Sequence, residues 1–441
     1  MIIFFYCFLS VKQNFLFLSD FVSFNNSLHN DFISLLSKLI IGISSLVYLI
    51  FVQQFLTDQK LNYFEYYILI LTSILGFCLL CCSDDLLTAY LAIELQSLAF
   101  YVLASFKRSS NYSVESGVKY FILGSFSTII FLCPLFFDFS YSLNETSNFI
   151  FDTALIELGV LIVLISLFFK LALSPFHLWS PDVYEGSPSS STFFFTVISK
   201  LSIFVFLLKI CYIGFYSIIV DWQLYSLIVA VISIIVGSVG GLKQRKFKSI
   251  LAYSSISNMG LILVSFSAGN FEGIKAFFYF FILYILSGLA VWSIFLLLKL
   301  KKKIPSEKHN KDLGDFSLLH ELNVILAYAS VITIFTVAGI PPMVGFLAKV
   351  SVFLSLTEAS MYCIALISIL ASVISTFFYL RVLKVIFFEN VLVGKLFYPT
   401  NSKANIVRSL LFFLLLFLFI SPVLPSFFAY KTTLFLNKNF Y

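Results

Sequence analysis

The sequence predicts an all-α membrane protein, a polytopic helical bundle built as two inverted five-helix repeats, each containing a broken transmembrane helix. Three observations carry that expectation. The first is composition: of 441 residues, 60% are apolar and only 11% charged, with a mean hydropathy of +1.01. A water-facing surface needs about 25% charged residues, so a soluble fold of this length is excluded. The second is that charged loops alternate in sign along the chain. The third is a pair of helix breaks spaced five apolar runs apart.

Apolar runs read as helices, because lipid offers no partner to the unpaired backbone groups of an open strand. They fall at 32–57, 65–83, 86–105, 117–137, 153–172, 190–212, 222–240, 250–268, 274–299, 322–357, 361–388 and 406–430. Residues 1–24 leave room for one more short span, interrupted by Lys12, Gln13 and Asp20. Met1–Ser10 is apolar and lacks the Arg-rich amphipathic character of a transit peptide, which points to synthesis in the compartment of use or to a bacterial origin.

Loop charge orders these runs. The loops after the third, seventh, ninth and eleventh are basic, with Lys107 and Arg108, then Lys243, Arg245, Lys246 and Lys248, then Lys299 to Lys311, then Lys384, Lys395, Lys403 and Arg408. The intervening ones carry Asp84 and Asp85, then Asp138, Glu145 and Asp152, then Asp221, then Glu358. Alternate basic loops are what the positive-inside rule expects of true spans, and they put the basic side on the cytoplasm or matrix. The loop after the fifth run, with His177, Asp182 and Glu185, belongs on that side without being basic.

The tenth run is too long for one straight span. At 1.5 Å per residue it would extend about 54 Å against a hydrocarbon core of about 30 Å, and two spans there would invert every later loop. It is therefore one span broken at Gly339-Ile340-Pro341-Pro342, where two backbone donors are missing. A second break follows the fifth run, at Ser174-Pro175-Phe176-His177-Leu178-Trp179-Ser180-Pro181. The division that follows is an N-terminal segment (1–31), a first span and loop (32–64), one five-helix unit (65–212), a second and inverted unit (222–388), and a C-terminal loop and helix (389–441). Inverted units with interrupted helices are the plan of secondary transporters, whose breaks mark the ion site.

Four ionisable residues in these runs stand out by lying near mid-membrane or beside a break: Glu94, Lys170, Lys200 and Lys349. Lys170 and Lys349 flank the two breaks. Each charge at mid-membrane costs about 2.5–3.5 kcal/mol on insertion scales, so these groups need pairing or hydration. Burial favours the neutral form of both Lys and Glu, while a nearby opposite charge favours the ionised forms. A Glu–Lys pair that opens and closes can thus pass protons along a lysine series; the plainer reading is a static buried ion pair. Lys119 and Lys209, near span ends, are expected to snorkel. His177 with Pro181-Asp182-Val183-Tyr184-Glu185-Gly186 reads equally as a proton access route or as a polar turn over a helix end, and Lys243 to Lys248 reads as a topology signal.

Other chemistry is poorly represented. Cys78, Cys81 and Cys82 lie in an apolar run and read as packing residues, without the repeated Cys spacing of zinc or iron–sulfur sites. No Gly-rich phosphate-binding motif occurs, and the loop-bound basic residues are no nucleic-acid footprint. No metal or cofactor is expected in this chain.

Ala92-Ile93-Glu94-Leu95-Gln96-Ser97, the stretch Phe169-Lys170-Leu171-Ala172-Leu173-Ser174-Pro175-Phe176-His177 through Gly186, Leu251-Ala252-Tyr253-Ser254-Ser255-Ile256, and Gly339-Ile340-Pro341-Pro342 with Gly345-Phe346-Leu347-Ala348-Lys349 resemble the antiporter-like subunits of respiratory complex I, NADH:ubiquinone oxidoreductase. The resemblance covers roughly residues 30–430. It implies a proton-translocating membrane-arm subunit of the mitochondrial inner membrane, or of a bacterial energy-coupling membrane. NADH, FMN, iron–sulfur clusters and ubiquinone would then be bound elsewhere in the complex. Its partners would be other membrane-arm subunits and the lipid bilayer, with protons as the transported ion and no nucleic acid. Glu94 would match the glutamate of the family's coupling pair, Lys170 its partner, Lys200 the central lysine and Lys349 the terminal one. The family commonly has about two spans before the one at 32–57, so the leading spans are expected to be reduced or missing. A free-standing cation/proton antiporter subunit and a structural spacer of the membrane arm are the other readings.

Overall fold

Seventeen α-helices account for nearly all regular structure among the described residues, which in the computed structural model are 21–24, 27–59, 61–134, 150–297, 299–300, 313–317, 319–389, 396–397 and 402–438. The short span allowed within 1–24 lies outside them except for its end. There Phe21–Ser23 (β1) pairs antiparallel with Leu28–Asn30 (β2), Val22 facing His29. The loop charges Asp138, Glu145, Lys301 to Lys311 and Lys395 are also outside the described residues.

In chain order the helices are α1 (Phe32–Asp58), α2 (Phe64–Cys82), α3 (Leu86–Ala104), α4 (Asn111–Leu132), α5 (Ile150–Lys170), α6 (Trp179–Gly186), α7 (Ser189–Val197) and α8 (Ser199–Lys209), closed by a π-helical turn at Ile210–Gly214. Then follow α9 (Ile219–Gly241), α10 (Phe247–Ser267) and α11 (Phe271–Leu297), followed by α12 (Leu319–Leu322), α13 (Val324–Ala338), α14 (Val344–Glu358), α15 (Tyr362–Phe388), α16 (Ser402–Ile420) and α17 (Val423–Lys438). Lys299–Leu300 (β3) and Leu396–Phe397 (β4) form a second small ribbon.

Among the described residues eight helices, with 189–214 and 216–241 each counted as one, are long and apolar enough to cross a membrane, and nine with the bent C-terminal pair. The three other apolar runs are helical too. One is α4, which starts at Asn111, ahead of the expected 117, because the Ser110 side chain accepts a hydrogen bond from the Ser113 amide at 3.4 Å. Another is α5. The third is the long run, which is broken as expected: α13 opens with the Asn323 side chain accepting from the Leu326 amide at 3.0 Å and stops at Gly339, whose φ of +71° is left-handed. The run at 406–430 differs from expectation. It is two helices, α16 and α17, bent by 74° at Ser421-Pro422, where the proline cannot supply the backbone donor that a continuous helix requires.

The span 189–214 is buried inside the bundle except at Ile213–Gly214, whereas only 33% of the tested window of α15 is buried. Peripheral helices turn apolar residues such as Leu366, Val373 and Phe377 outward, as a lipid-facing surface requires. Loop contacts follow the alternation read from charge. The Leu313 amide donates to the Arg245 carbonyl at 3.0 Å, joining the loops after the seventh and ninth runs. The Asp182 and Glu185 carboxylates of the non-basic fifth loop meet Lys119 and Lys246, so its missing positive charge is contributed by its neighbours.

Candidate functional site

Lysines at the helix breaks define the site. In α14, Lys349 reaches back over the break and its Nζ donates to the Ala338 carbonyl at 2.6 Å, one of the carbonyls a helix end leaves without an intrahelical partner. Gly339 makes this possible: a Cβ there would lie 2.7 Å from Lys349 Cδ. Gly345 permits the close crossing of the two half-helices, since any side chain would collide with the Thr336 carbonyl. Lys349 lines a small cavity with Asn258, Tyr284, Ser287 and Thr336.

At the other break, Lys170 lies in the last turn of α5 and its Nζ donates to the Gly124 carbonyl of α4 at 3.2 Å. Glu94, half-buried on α3, accepts from Ser97 Oγ at 3.2 Å. Glu94 and Lys170 feel each other's charge, but each has another hydrogen-bond partner, the Ser97 hydroxyl for Glu94 and the Gly124 carbonyl for Lys170. Tyr101 lies close to the hydrogen-bond partners of both, Ser97 and Gly124. Its ring fills the space that a Cβ on Gly124 would occupy, and its hydroxyl lies beside Ser97 without completing a hydrogen bond. Glu94, Ser97 and Tyr101 follow the i, i+3, i+7 spacing of one helix face. That spacing is legible in the sequence, although only the charged residue of the three stands out by type.

Lys200 is 2% exposed and its Nζ has no hydrogen-bond partner. It follows an interruption at Ile198 that separates α7 from α8 inside one buried span. Neither Gly nor Pro marks that interruption. Thr196 and Ser199 hydroxyls donate back to the Phe193 and Phe195 carbonyls, at 3.2 and 2.6 Å, a local competition with the helix ladder. Tyr284 of α11 ties this span to the Lys349 cavity, its hydroxyl donating to the Thr196 carbonyl at 2.8 Å.

Two expectations for lysines change. Lys209 does not snorkel: it is buried, 3.0 Å from Asp31 and 3.8 Å from Asp84, with its Nζ also donating to the His29 carbonyl at 3.4 Å. These partners come from the N-terminal hairpin and the α2–α3 turn, a closure that sequence alone does not reveal. Lys119 is half-exposed and paired with Glu115 at 2.9 Å and Asp182 at 3.3 Å. Lys248, read as part of a topology signal, is 3% exposed and its Nζ donates to the Ser187 carbonyl at 2.7 Å. Its burial has no signal in residue type, since Lys243, Arg245 and Lys246 share the same basic stretch. Among the described residues no group of three or more His, Cys, Asp and Glu side chains is placed to hold a metal ion, and Cys81 and Cys82 are packed in the core.

Comparison with known proteins gives these positions a context. Residues 83–375 match the family described as NADH:quinone oxidoreductase/Mrp antiporter, transmembrane. The chain is 37% identical over 382 residues to NADH-quinone oxidoreductase subunit N of Pelagibacter ubique, covering 84% of this chain and 79% of that one. It is 36% identical over 378 residues to NADH-ubiquinone oxidoreductase chain 2 of Marchantia polymorpha, covering 83% and 76%. In fold it is similar to a chain of respiratory complex I from Thermus thermophilus, with a TM-score of 0.79, 24% identity and coverage of 96% and 92%. It is also similar in fold to a chain of the Mrp complex from Dietzia, with a TM-score of 0.77, 18% identity and coverage of 92% and 84%. A multi-span helical bundle with interrupted, lysine-bearing helices and sequence identity of this extent leave one assignment: the chain belongs to the NADH:quinone oxidoreductase/Mrp antiporter family of transmembrane subunits.

Proposed function

We propose that this chain is a proton-translocating, antiporter-like subunit in the membrane arm of a respiratory NADH:ubiquinone oxidoreductase, in the mitochondrial inner membrane. It carries no redox group itself; electron transfer belongs to other subunits, and this chain converts it into proton movement through Glu94, Lys170, Lys200 and Lys349. Identity to subunit N and chain 2 over most of each chain supports the assignment to the complex. The observation that carries the relay reading is Lys200, a buried amine with neither acceptor nor counter-charge. A static ion pair would show a partner, and a fully buried, unpaired ammonium costs several kcal/mol, so the group is suited to changing its protonation state.

In this reading a conformational or electrostatic change alters the separation of Glu94 and Lys170, which already interact without contact. The change in field moves a proton toward Lys200, and through hydrated space past Tyr284 to Lys349. The two units, 65–212 and 222–388, would serve as inverted half-channels. Likeness in fold to the Mrp complex chain favours one other reading, a cation/proton antiporter subunit. Purification separates the two, because co-isolation with an NADH-oxidising assembly excludes a stand-alone antiporter.

The relay is tested by Lys200→Ala in the assembled complex. Proton pumping per NADH should fall while assembly is kept. Unchanged pumping and oxidation would remove Lys200 from the path and leave the spacer reading.

A further inference from the structure

On the basic side, the short helix α6 and the start of α10 meet in a graded cluster of charges. At its rim Asp182 pairs with Lys119 at 3.3 Å, with side chains 61% and 46% exposed. Further in, Glu185 pairs with Lys246, at 31% and 40% exposed. At its inner end Lys248 is buried, its ammonium bonded to the Ser187 carbonyl at 2.7 Å, while the Ser187 hydroxyl is buried with no partner. Three titratable or charged groups from different elements face Lys248: Glu185 of α6, Lys246 ahead of α10 and Lys107 of the α3–α4 loop.

Hydroxyls continue inward from that point. Tyr184 of α6, three residues before Ser187, is buried, and Tyr284 lies within electrostatic reach of both Tyr184 and Tyr379. Tyr379 lies beside Ser254 and Asn258 of α10. Tyr284 and Asn258 both line the cavity around Lys349. Two polar groupings thus lie on this side of the bundle, one from Asp182 to Lys248 and one from Tyr184 to the Lys349 cavity, and α6 and α10 each contribute to both.

We propose that Lys248 is the inner gate of a proton intake port formed with Glu185 and Lys246, through which protons from the aqueous phase on the basic side reach the Lys349 cavity. This rests on the proton-carrying role proposed above and adds its point of supply. Neutral Lys248 takes a proton from hydronium held at the Glu185 rim and becomes an ammonium. It then passes a proton inward, each tyrosine hydroxyl on the way accepting one proton as it releases another, so that no charge remains on the tyrosines.

Lys248→Arg separates this role from a structural one. Arginine keeps the positive charge and can still donate to the Ser187 carbonyl, but it does not release its proton in a protein. In the assembled complex, Lys248→Arg is expected to reduce pumping at least fivefold with assembly intact. Pumping at more than half the unsubstituted rate would overturn the proposal. If that variant fails to assemble, Glu185→Gln, at the half-buried pair with Lys246, decides. A carboxylate beside an amine favours the protonated form, so its removal should move the high-pH limb of the pumping profile, measured against pH on the basic side, to lower pH. An unmoved limb would also overturn the port. Lys200→Ala keeps the two ideas apart: loss of pumping there with a normal Lys248→Arg leaves the relay standing and removes the port.

Discussion

Lys200 and Lys209 lie on one helix, yet nine residues at about 100° each turn them to opposite faces. One face is bare of counter-charges and the other is crowded with them. Lys209 meets Asp31, Asp84 and the His29 carbonyl, and burial pushes the Asp84 carboxyl above the usual carboxylate range even against the pull of Lys209 and His29. That pattern fits a structural charge pair. Removing one partner of a buried pair typically costs about 3–5 kcal/mol, so Lys209→Ala should lower the thermal stability of the assembled subunit by that order, and Lys209→Ala with Asp31→Asn should recover part of it. Equal melting temperatures for Lys209→Ala and the unsubstituted chain would contradict the pairing. Sequence could name all these lysines as costly in lipid, but it could not sort them. Partners for Lys209 lie 178 and 125 positions away in the chain, and the acceptor for Lys248 is a backbone carbonyl, to which residue type gives no clue.

Helix breaks divide into those written in residue type and those that are not. Gly339-Ile340-Pro341-Pro342 ends α13 by removing donors and by allowing a left-handed turn, and its position was legible. Ser421-Pro422 was equally visible but fell inside a run of strong hydropathy, which a count of apolar residues does not interrupt. The break at Ile198 carries no such mark; it arises where Thr and Ser hydroxyls compete for backbone carbonyls. The tight crossing at the α13–α14 break gives an element-level test. Overpacking costs about 1–3 kcal/mol, and Gly345→Ala drives a methyl group into the backbone carbonyl of Thr336, so it should deplete the assembled subunit. Gly314→Ala, with nothing within 4 Å of the added atom, should leave the amount unchanged. Equal abundance of the two variants, measured in isolated membranes, would show that the crossing yields.

Across the whole molecule, loop charge and loop contact describe the same two sides. Asp182 and Lys243 are exposed on one, and Asp85 is exposed on the other. Single cysteines at these positions, in a background without other reactive thiols, should be labelled by a membrane-impermeant reagent from opposite sides, Asp182→Cys and Lys243→Cys together and Asp85→Cys apart. Labelling of all three from one side would break the alternation. Charge counting could supply the two sides because insertion itself responds to loop lysines and arginines; it could not supply the depth order of the helices, which depends on packing. That order has a mechanical consequence. The span carrying Lys200 is enclosed by other helices from Ser189 to Tyr212 and opens only at Ile213 near its end, so it has almost no lipid of its own to match. A bilayer a few Å thinner or thicker is met by tilting of outer helices such as α15, and Lys200 keeps its depth relative to its neighbours rather than to the headgroups. Membranes of different thickness would then change how the subunit sits without changing the distances along which its protons move.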